Sequence, residues 1–136
     1  MVAAGAFHSL VLCRDGTVMS CGYNSNGQLG LGDQEDRSTF SVVTGLPWGV
    51  VAVDAGEHHS IAVTLEGAVY TWGMGRATSH GGDSSTIHLV PRKVTAGGLG
   101  DAVVVHVAAG TFHSMALTAT GELWTWGDGD MGQLGH

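Results

Sequence analysis

Residues 4–10 read AGAFHSL, and the same pattern returns at residues 55–61 as AGEHHSI and at residues 109–115 as AGTFHSM. The copies begin 51 and then 54 residues apart. Two sets of glycines keep the same spacings: Gly16, Gly67 and Gly121, and Gly22, Gly73 and Gly127. Self-similarity at a period of roughly fifty residues predicts one structural unit that is stacked on further copies of itself.

Each copy predicts short strands separated by turns, four of them in each of the first two copies. In the middle copy they fall at residues 51–55, 60–64, 68–72 and 90–94. The run LVLC at residues 10–13 is apolar at consecutive positions, which predicts a strand covered on both faces by neighbouring sheets. The pair Asp15-Gly16 predicts a two-residue type I′ hairpin turn, and in that register Cys13 and Cys21 are too far offset to form a disulfide.

These features predict an all-β fold, namely a β-propeller whose blades each have four antiparallel strands. Composition agrees, with 23 glycines, two prolines and 43% hydrophobic residues. Residues 1–136 form a single propeller segment, with repeats at approximately 1–50, 51–104 and 105–136, the last one incomplete. Because an open arc leaves strand edges and apolar faces unpaired, the isolated chain is expected to self-associate unless further blades complete it.

The order of motifs is AGxxHS, a hydrophobic strand, a glycine, Trp-Gly and then GQLG, which stands at residues 27–30 and 132–135. This order resembles the repeat of the regulator of chromosome condensation family over essentially the whole chain. The resemblance implies a propeller of seven blades, of which this chain forms an incomplete part. It also implies functions such as those of Ran-type GTPase exchange factors, of domains of ubiquitin ligases and kinases, or of inhibitors. The chain departs from the pattern where Cys21 replaces tryptophan and where RATSHGG, at residues 76–82, replaces GQLG.

A histidine followed by serine invites a catalytic or metal-binding interpretation. Catalytic groups normally occur once, so a pair present in every repeat indicates a structural hydrogen bond to the next strand or blade. We predict no catalytic, cofactor or metal site, and the GxGxxG match at residues 127–132 lacks the helix that a dinucleotide site needs. The predicted structural residues of the repeat are His8, His59, His113, Gly22, Gly73, Gly127, Trp72 and Trp126.

The segment from Met74 to His88 keeps the length of its counterpart and replaces its chemistry. It places Arg76, His80, Asp83 and His88 on what is expected to be one inter-strand loop. Two interpretations stay open: a degenerate repeat, or a loop that binds a partner, since propellers vary loops while holding the blades constant.

The net charge of −7 results from 12 acidic and five basic residues, which argues against direct nucleic-acid binding. The short apolar runs predict no membrane span, and Met1 leads directly into repeat sequence, so we expect an intracellular protein, cytoplasmic or nuclear.

The first functional hypothesis is a non-catalytic protein-interaction module of a larger propeller, with a small GTPase or a ubiquitin-pathway component as the partner. The alternative is a guanine-nucleotide exchange factor for a Ran-type GTPase, although the only length change is three extra residues near residues 96–98.

Overall fold

A computed structural model describes residues 1–78 and 86–127 of the chain. The described residues form three antiparallel sheets, in which each strand pairs with the next one along the sequence. The first sheet contains β1 (Val2–Ala4), β2 (His8–Leu12), β3 (Val18–Gly22) and β4 (Arg37–Val42); the second contains β5 (Val50–Ala55), β6 (His59–Thr64), β7 (Val69–Met74) and β8 (Ile87–Lys93); the third contains β9 (Val104–Ala109), β10 (His113–Thr118) and β11 (Leu123–Gly127).

Two short helices lie in connections between strands. The helix α1 (Gly75–Thr78) follows β7, and a 3-10 helix (Ala96–Asp101) follows β8. None of the helices in the described ranges is long and apolar enough to cross a membrane.

The three sheets stack side by side around their first strands. β5 contacts both β1 and β9, while β2 packs on β5 and β6 packs on β9. The Asp54 side chain extends this contact, because its Oδ2 accepts a hydrogen bond of 2.8 Å from the backbone N–H of Ala109. Meandering sheets arranged in this way are the blades of a propeller, so the predicted all-β fold with four-stranded blades is confirmed, as an incomplete propeller.

Burial along the second strand of each sheet shows which sheet lies between two others. All six residues of β6 are buried, and Ile61, Ala62 and Val63 are fully inaccessible. In β10 of the third sheet, half-buried and buried residues alternate. The second sheet thus covers β6 on both faces, although its sequence HSIAVT includes polar residues. The prediction that the run at residues 10–13 is covered on both faces is wrong, because Leu10 is buried whereas Val11, Leu12 and Cys13 are only half-buried. Among the described residues the first sheet packs on the second sheet alone.

The hairpin turns differ from the predicted type I′ geometry. Gly16 N donates to the Cys13 carbonyl at 3.0 Å, and Cys13 N donates to the Thr17 carbonyl at 2.8 Å, so three residues form the turn. Gly16 adopts a φ of 86°, the left-handed conformation that closes a three-residue hairpin loop. The type I′ prediction is therefore wrong, and Cys21 pairs with Ser9 instead of Leu10. Both cysteines are free.

Alternating strand directions divide the connections between two faces of the arc. The upper face carries the turns between first and second strands (residues 5–7, 56–58 and 110–112), the loop 23–36 and α1. The lower face carries the hairpin turns and the connections into the next sheet, residues 43–49 and 94–103, which include the 3-10 helix.

Candidate functional site

A hydrogen-bond network joins the first blade to the second. His8 Nε2 lies 2.8 Å from Ser60 Oγ, and the Ser60 hydroxyl donates to the Gln28 carbonyl at 2.8 Å. Trp72 Nε1 donates to the same carbonyl, also at 2.8 Å. The three side chains and Gln28, whose backbone carbonyl they share, are all buried, so the network fixes one blade against the next without contact with solvent.

The same network joins the second blade to the third. His59 Nε2 lies 3.1 Å from Ser114 Oγ, and the Ser114 hydroxyl donates to the Ala77 carbonyl at 2.7 Å. Trp126 Nε1 donates to that carbonyl at 3.0 Å. Ala77 lies in α1, within the segment that replaces GQLG. The changed sequence therefore still supplies a backbone acceptor at the blade junction, which favours the degenerate-repeat interpretation of this part of the segment.

Burial keeps the junction histidines neutral. It lowers the pKa of His8 to about 4, with a smaller effect from the nearby His58, and it lowers the pKa of His59 to about 3, with a smaller effect from His8. Neutral imidazoles that are enclosed between blades serve as fixed hydrogen-bonding groups and have no access to a substrate. His113 is half-buried at the equivalent position of the third blade.

The glycines at the ends of β3, β7 and β11 allow the turn of the upper face to lie directly against the strand. Gly73 has a φ of 105°, and a Cβ at this position would lie 2.5 Å from the His58 carbonyl oxygen. Gly22 and Gly127 adopt the same conformation, with φ of 113° and 114°. A side chain here would both strain the backbone and collide with the turn.

The four residues of the predicted partner-binding loop are only partly placed. Arg76 lies in α1, while His80 and Asp83 lie outside the described residues. His88 was expected in the loop, but it lies within β8, where it pairs with Gly73. The prediction that His88 is a loop residue is therefore wrong, because β8 already begins at Ile87 and its ladder with β7 includes position 88.

An aromatic row crosses the upper face and was not predicted from the sequence. It consists of Tyr23, Phe7, His58 and Phe112, in that spatial order. The Tyr23 and Phe7 ring centroids are 5.5 Å apart, those of Phe7 and His58 are 5.9 Å apart, and those of His58 and Phe112 are 6.3 Å apart. Three of these residues directly precede the repeat histidines, which is the sequence signal that identifies them.

Two clefts flank the row at its exposed end, where Phe7 is 46% and Tyr23 is 54% accessible. One cleft, of about 440 Å³, is lined by Phe7, Gly22, Tyr23, Asp36, Arg37 and Ser38. The other, of about 260 Å³, is lined by Phe7, Tyr23, Ser25, Gln28 and His58. Within the described ranges, no group of three or more His, Cys, Asp or Glu residues is arranged to hold a metal ion.

Stacked meander sheets joined by a repeated histidine-serine network define the chain as a segment of a tandem-repeat β-propeller. Profiles of the regulator of chromosome condensation (RCC1) repeat match residues 2–28, 50–77 and 104–133, and a second profile of that repeat matches residues 66–117. The chain belongs to the RCC1 repeat family.

Similar proteins have varied functions. The chain is 41% identical to the ultraviolet-B receptor UVR8 of Arabidopsis thaliana, over 99% of its own length and 30% of the receptor. It is 37% identical to the secretion-regulating guanine nucleotide exchange factor of Bos taurus, of which it covers 30%, and 36% identical to the probable E3 ubiquitin-protein ligase HERC6 of Homo sapiens, of which it covers 13%. The chain thus spans about a third or less of these relatives.

Solved structures show the same architecture. The crystal structure of Prp20p from Saccharomyces cerevisiae matches with a TM-score of 0.83 and 29% identity, over 99% of this chain and 33% of that one. Human WBSCR16 matches with a TM-score of 0.81 and 30% identity, over 93% of this chain and 32% of that one.

Proposed function

We propose that this chain is a non-catalytic protein-interaction module and that its protein partner docks on the upper face, over the aromatic row. The observation that carries the proposal is the row itself. Phe7 and Tyr23 remain about half exposed, and their rings are in contact with centroids 5.5 Å apart. Exposed aromatic side chains that lie together are typical of interaction surfaces, where they contribute a large share of the binding energy.

The different positions of the motif residues within each repeat support this assignment. At each junction the histidine of one blade is hydrogen-bonded to the serine of the next blade, as His8 is to Ser60 and His59 is to Ser114. These buried pairs stabilise the propeller. The residue before each histidine points to the upper face, where Phe7, His58 and Phe112 contact one another in sequence. Variation at these positions changes the surface without changing the junction. We propose an intracellular setting for this interaction, either cytoplasmic or nuclear.

The relatives suggest which partners to test first. The structural study of Prp20p names Gsp1p and histones as molecules that it binds, and several relatives are named as ubiquitin ligases. A small GTPase and a ubiquitin-pathway component are therefore the first candidates for the partner.

Nucleotide exchange on a small GTPase is the second candidate function, and the 37% identity to a named exchange factor favours it. The extra residues near position 96 argue against it. They form the 3-10 helix on the lower face, where Leu99 is buried in the core between the second and third blades. This element lies on the face opposite to the aromatic row. Release of a fluorescent GDP analogue from a Ran-type GTPase, with and without the full chain, measures exchange directly.

In-cell photo-crosslinking tests the docking face. A photoreactive phenylalanine analogue is placed at position 7, and in a matched variant at position 48, because Trp48 is 89% exposed on the lower face. We expect a discrete protein adduct from position 7 and none of that mass from position 48. The same adduct from both positions, or an adduct from position 48 alone, would overturn the assignment of the face.

A further inference from the structure

We propose that the corner formed by Phe7 and Tyr23, together with the Asp36 carboxylate, binds an arginine side chain in a basic segment of the protein partner. This inference rests on the proposed function, because it names the chemistry of the partner that docks on the upper face.

The two rings form an open corner. Phe7 and Tyr23 meet edge to face, at an interplanar angle of 81°, and their exposed halves line the 440 Å³ cleft together with Asp36 and Arg37. The Arg37 guanidinium is paired with Asp33. A guanidinium group is planar and weakly hydrated, so it stacks on an aromatic face more readily than an ammonium group does. The corner thus offers the kind of surface that an arginine side chain covers.

The charges around the corner are unbalanced. The loop beside it holds three carboxylates, Asp33, Glu35 and Asp36, against the single guanidinium of Arg37. Arg37 lies 2.7 Å from Asp33 and 3.8 Å from Glu35, and its hydrogen bond holds the pKa of the Asp33 carboxyl below its usual value.

Asp36 is held at the cleft by a backbone hydrogen bond. Its Oδ1 accepts a hydrogen bond of 2.8 Å from the backbone N–H of Asn24, and it forms no ion pair among the described residues. The carboxylate is thereby fixed beside the aromatic corner, where it complements a cation that stacks on the rings.

The length of the row indicates an extended protein segment as the occupant. Beyond Phe7 the row continues through His58 to Phe112 in centroid steps of 5.9 and 6.3 Å, across all three blades. An extended chain advances about 3.3 Å per residue, so alternate side chains of one segment match this spacing. A free polyamine carries the same charge but has no side chains to place along the row.

The test is a titration at low salt that measures how tightly the full chain binds a short fluorescent peptide. The peptide carries arginines spaced by glycine and serine. Matched peptides carry glutamine or lysine in place of arginine, and spermidine serves as the free cation. The variants Phe7→Leu and Asp36→Asn each remove one feature of the corner. Trp48→Leu and Asp101→Asn make the same changes at exposed positions of the lower face.

We expect the arginine peptide to bind more tightly than the lysine peptide, the glutamine peptide and spermidine. Phe7→Leu and Asp36→Asn should each weaken it by about two- to fivefold, the range for an exposed cation–π contact or ion pair. The lower-face variants should bind as the unaltered chain does. Equal binding of the lysine peptide, the glutamine peptide or spermidine, or unchanged binding by both corner variants, would overturn the proposal. If position 7 still crosslinks to a partner, the docking face stands and only its arginine chemistry is rejected.

Discussion

His8 and Ser60, one from each of the first two blades, lie with Nε2 and Oγ 2.8 Å apart. The Ser60 hydroxyl donates its only hydrogen to the Gln28 carbonyl, so His8 Nε2 must carry the hydrogen that it shares with Ser60. The ring is therefore the neutral tautomer protonated at Nε2. Because His59 and Ser114 repeat this relationship at 3.1 Å, the repeated motif of the sequence encodes a contact between successive blades.

Ser60→Ala should lower the free energy of unfolding by about 1 to 3 kcal/mol, because it leaves a buried histidine N–H without an acceptor and removes one of the two donors to the Gln28 carbonyl. Chemical denaturation at pH 7.5 measures the change. Ser38→Ala, at an exposed position of β4, is the control and should change stability by less than about 0.5 kcal/mol. Equal effects of the two substitutions would show that the junction bond contributes nothing.

Acidification should weaken the blade junctions. An unfolded histidine has a pKa near 6.5, whereas burial lowers the pKa of His8 to about 4, so the unfolded chain binds the proton more tightly. The stability that the neutral ring contributes is complete above pH 6.5 and is lost as the pH falls toward 4, by an amount on the order of 3 kcal/mol. Urea denaturation between pH 7.5 and 4 should show this loss.

The variant His8→Gln identifies the source of that pH dependence. It removes the titrating ring, so the loss of stability on acidification should be smaller by an amount on the order of 3 kcal/mol. If the unfolding free energy of His8→Gln falls with pH as steeply as that of the unaltered chain, other groups cause the acid sensitivity.

The sequence predicts the strands, the blades and the repeat positions, because each repeats a local pattern of apolar and glycine residues. It fails at the hairpin turn, since Asp-Gly also closes a three-residue loop and only the hydrogen bonds of Cys13 distinguish the two. It also fails for the aromatic row. Tyr23 lies opposite Phe7 where the β2–β3 ladder ends, and its N–H donates to the Phe7 carbonyl at 2.9 Å. The two-residue turn predicted from the sequence would have placed Tyr23 opposite His8. The replacement of the Gln28 carbonyl by that of Ala77 has no sequence signature, since any residue carries a carbonyl.

Trp72→Ala should destabilise the chain by about 3 to 5 kcal/mol, because this ring is fully inaccessible and its N–H bonds the Gln28 carbonyl. Trp48→Ala removes a ring that is 89% exposed and should change stability by less than about 0.5 kcal/mol. Thermal and chemical denaturation of both variants test the difference. A loss below about 1 kcal/mol at position 72 would be inconsistent with a tryptophan enclosed between blades.

Gly73→Ala and Gly49→Ala separate backbone strain from collision. Both glycines have positive φ, of 105° and 90°, but a Cβ at position 73 would lie 2.5 Å from the His58 carbonyl oxygen, whereas nothing lies within 4 Å at position 49. The shared strain costs about 1 to 2 kcal/mol. Gly73→Ala should cost at least about 1 kcal/mol more than Gly49→Ala, since the turn of the upper face must also move. Equal costs in chemical denaturation would show that the turn accommodates a methyl group.

Substitutions on the upper face and at the blade junction should differ in their effects on stability and on partner affinity. For the full chain and the partner identified by crosslinking, the double variant Phe7→Ser and Tyr23→Ser should bind at least about tenfold more weakly, with nearly unchanged unfolding free energy. Ser60→Ala should show the reverse, with an unfolding free energy lower by about 1 to 3 kcal/mol and unchanged affinity at a temperature where it is folded. If the double variant binds the partner as tightly as the unaltered chain does, the aromatic row is not the interaction site.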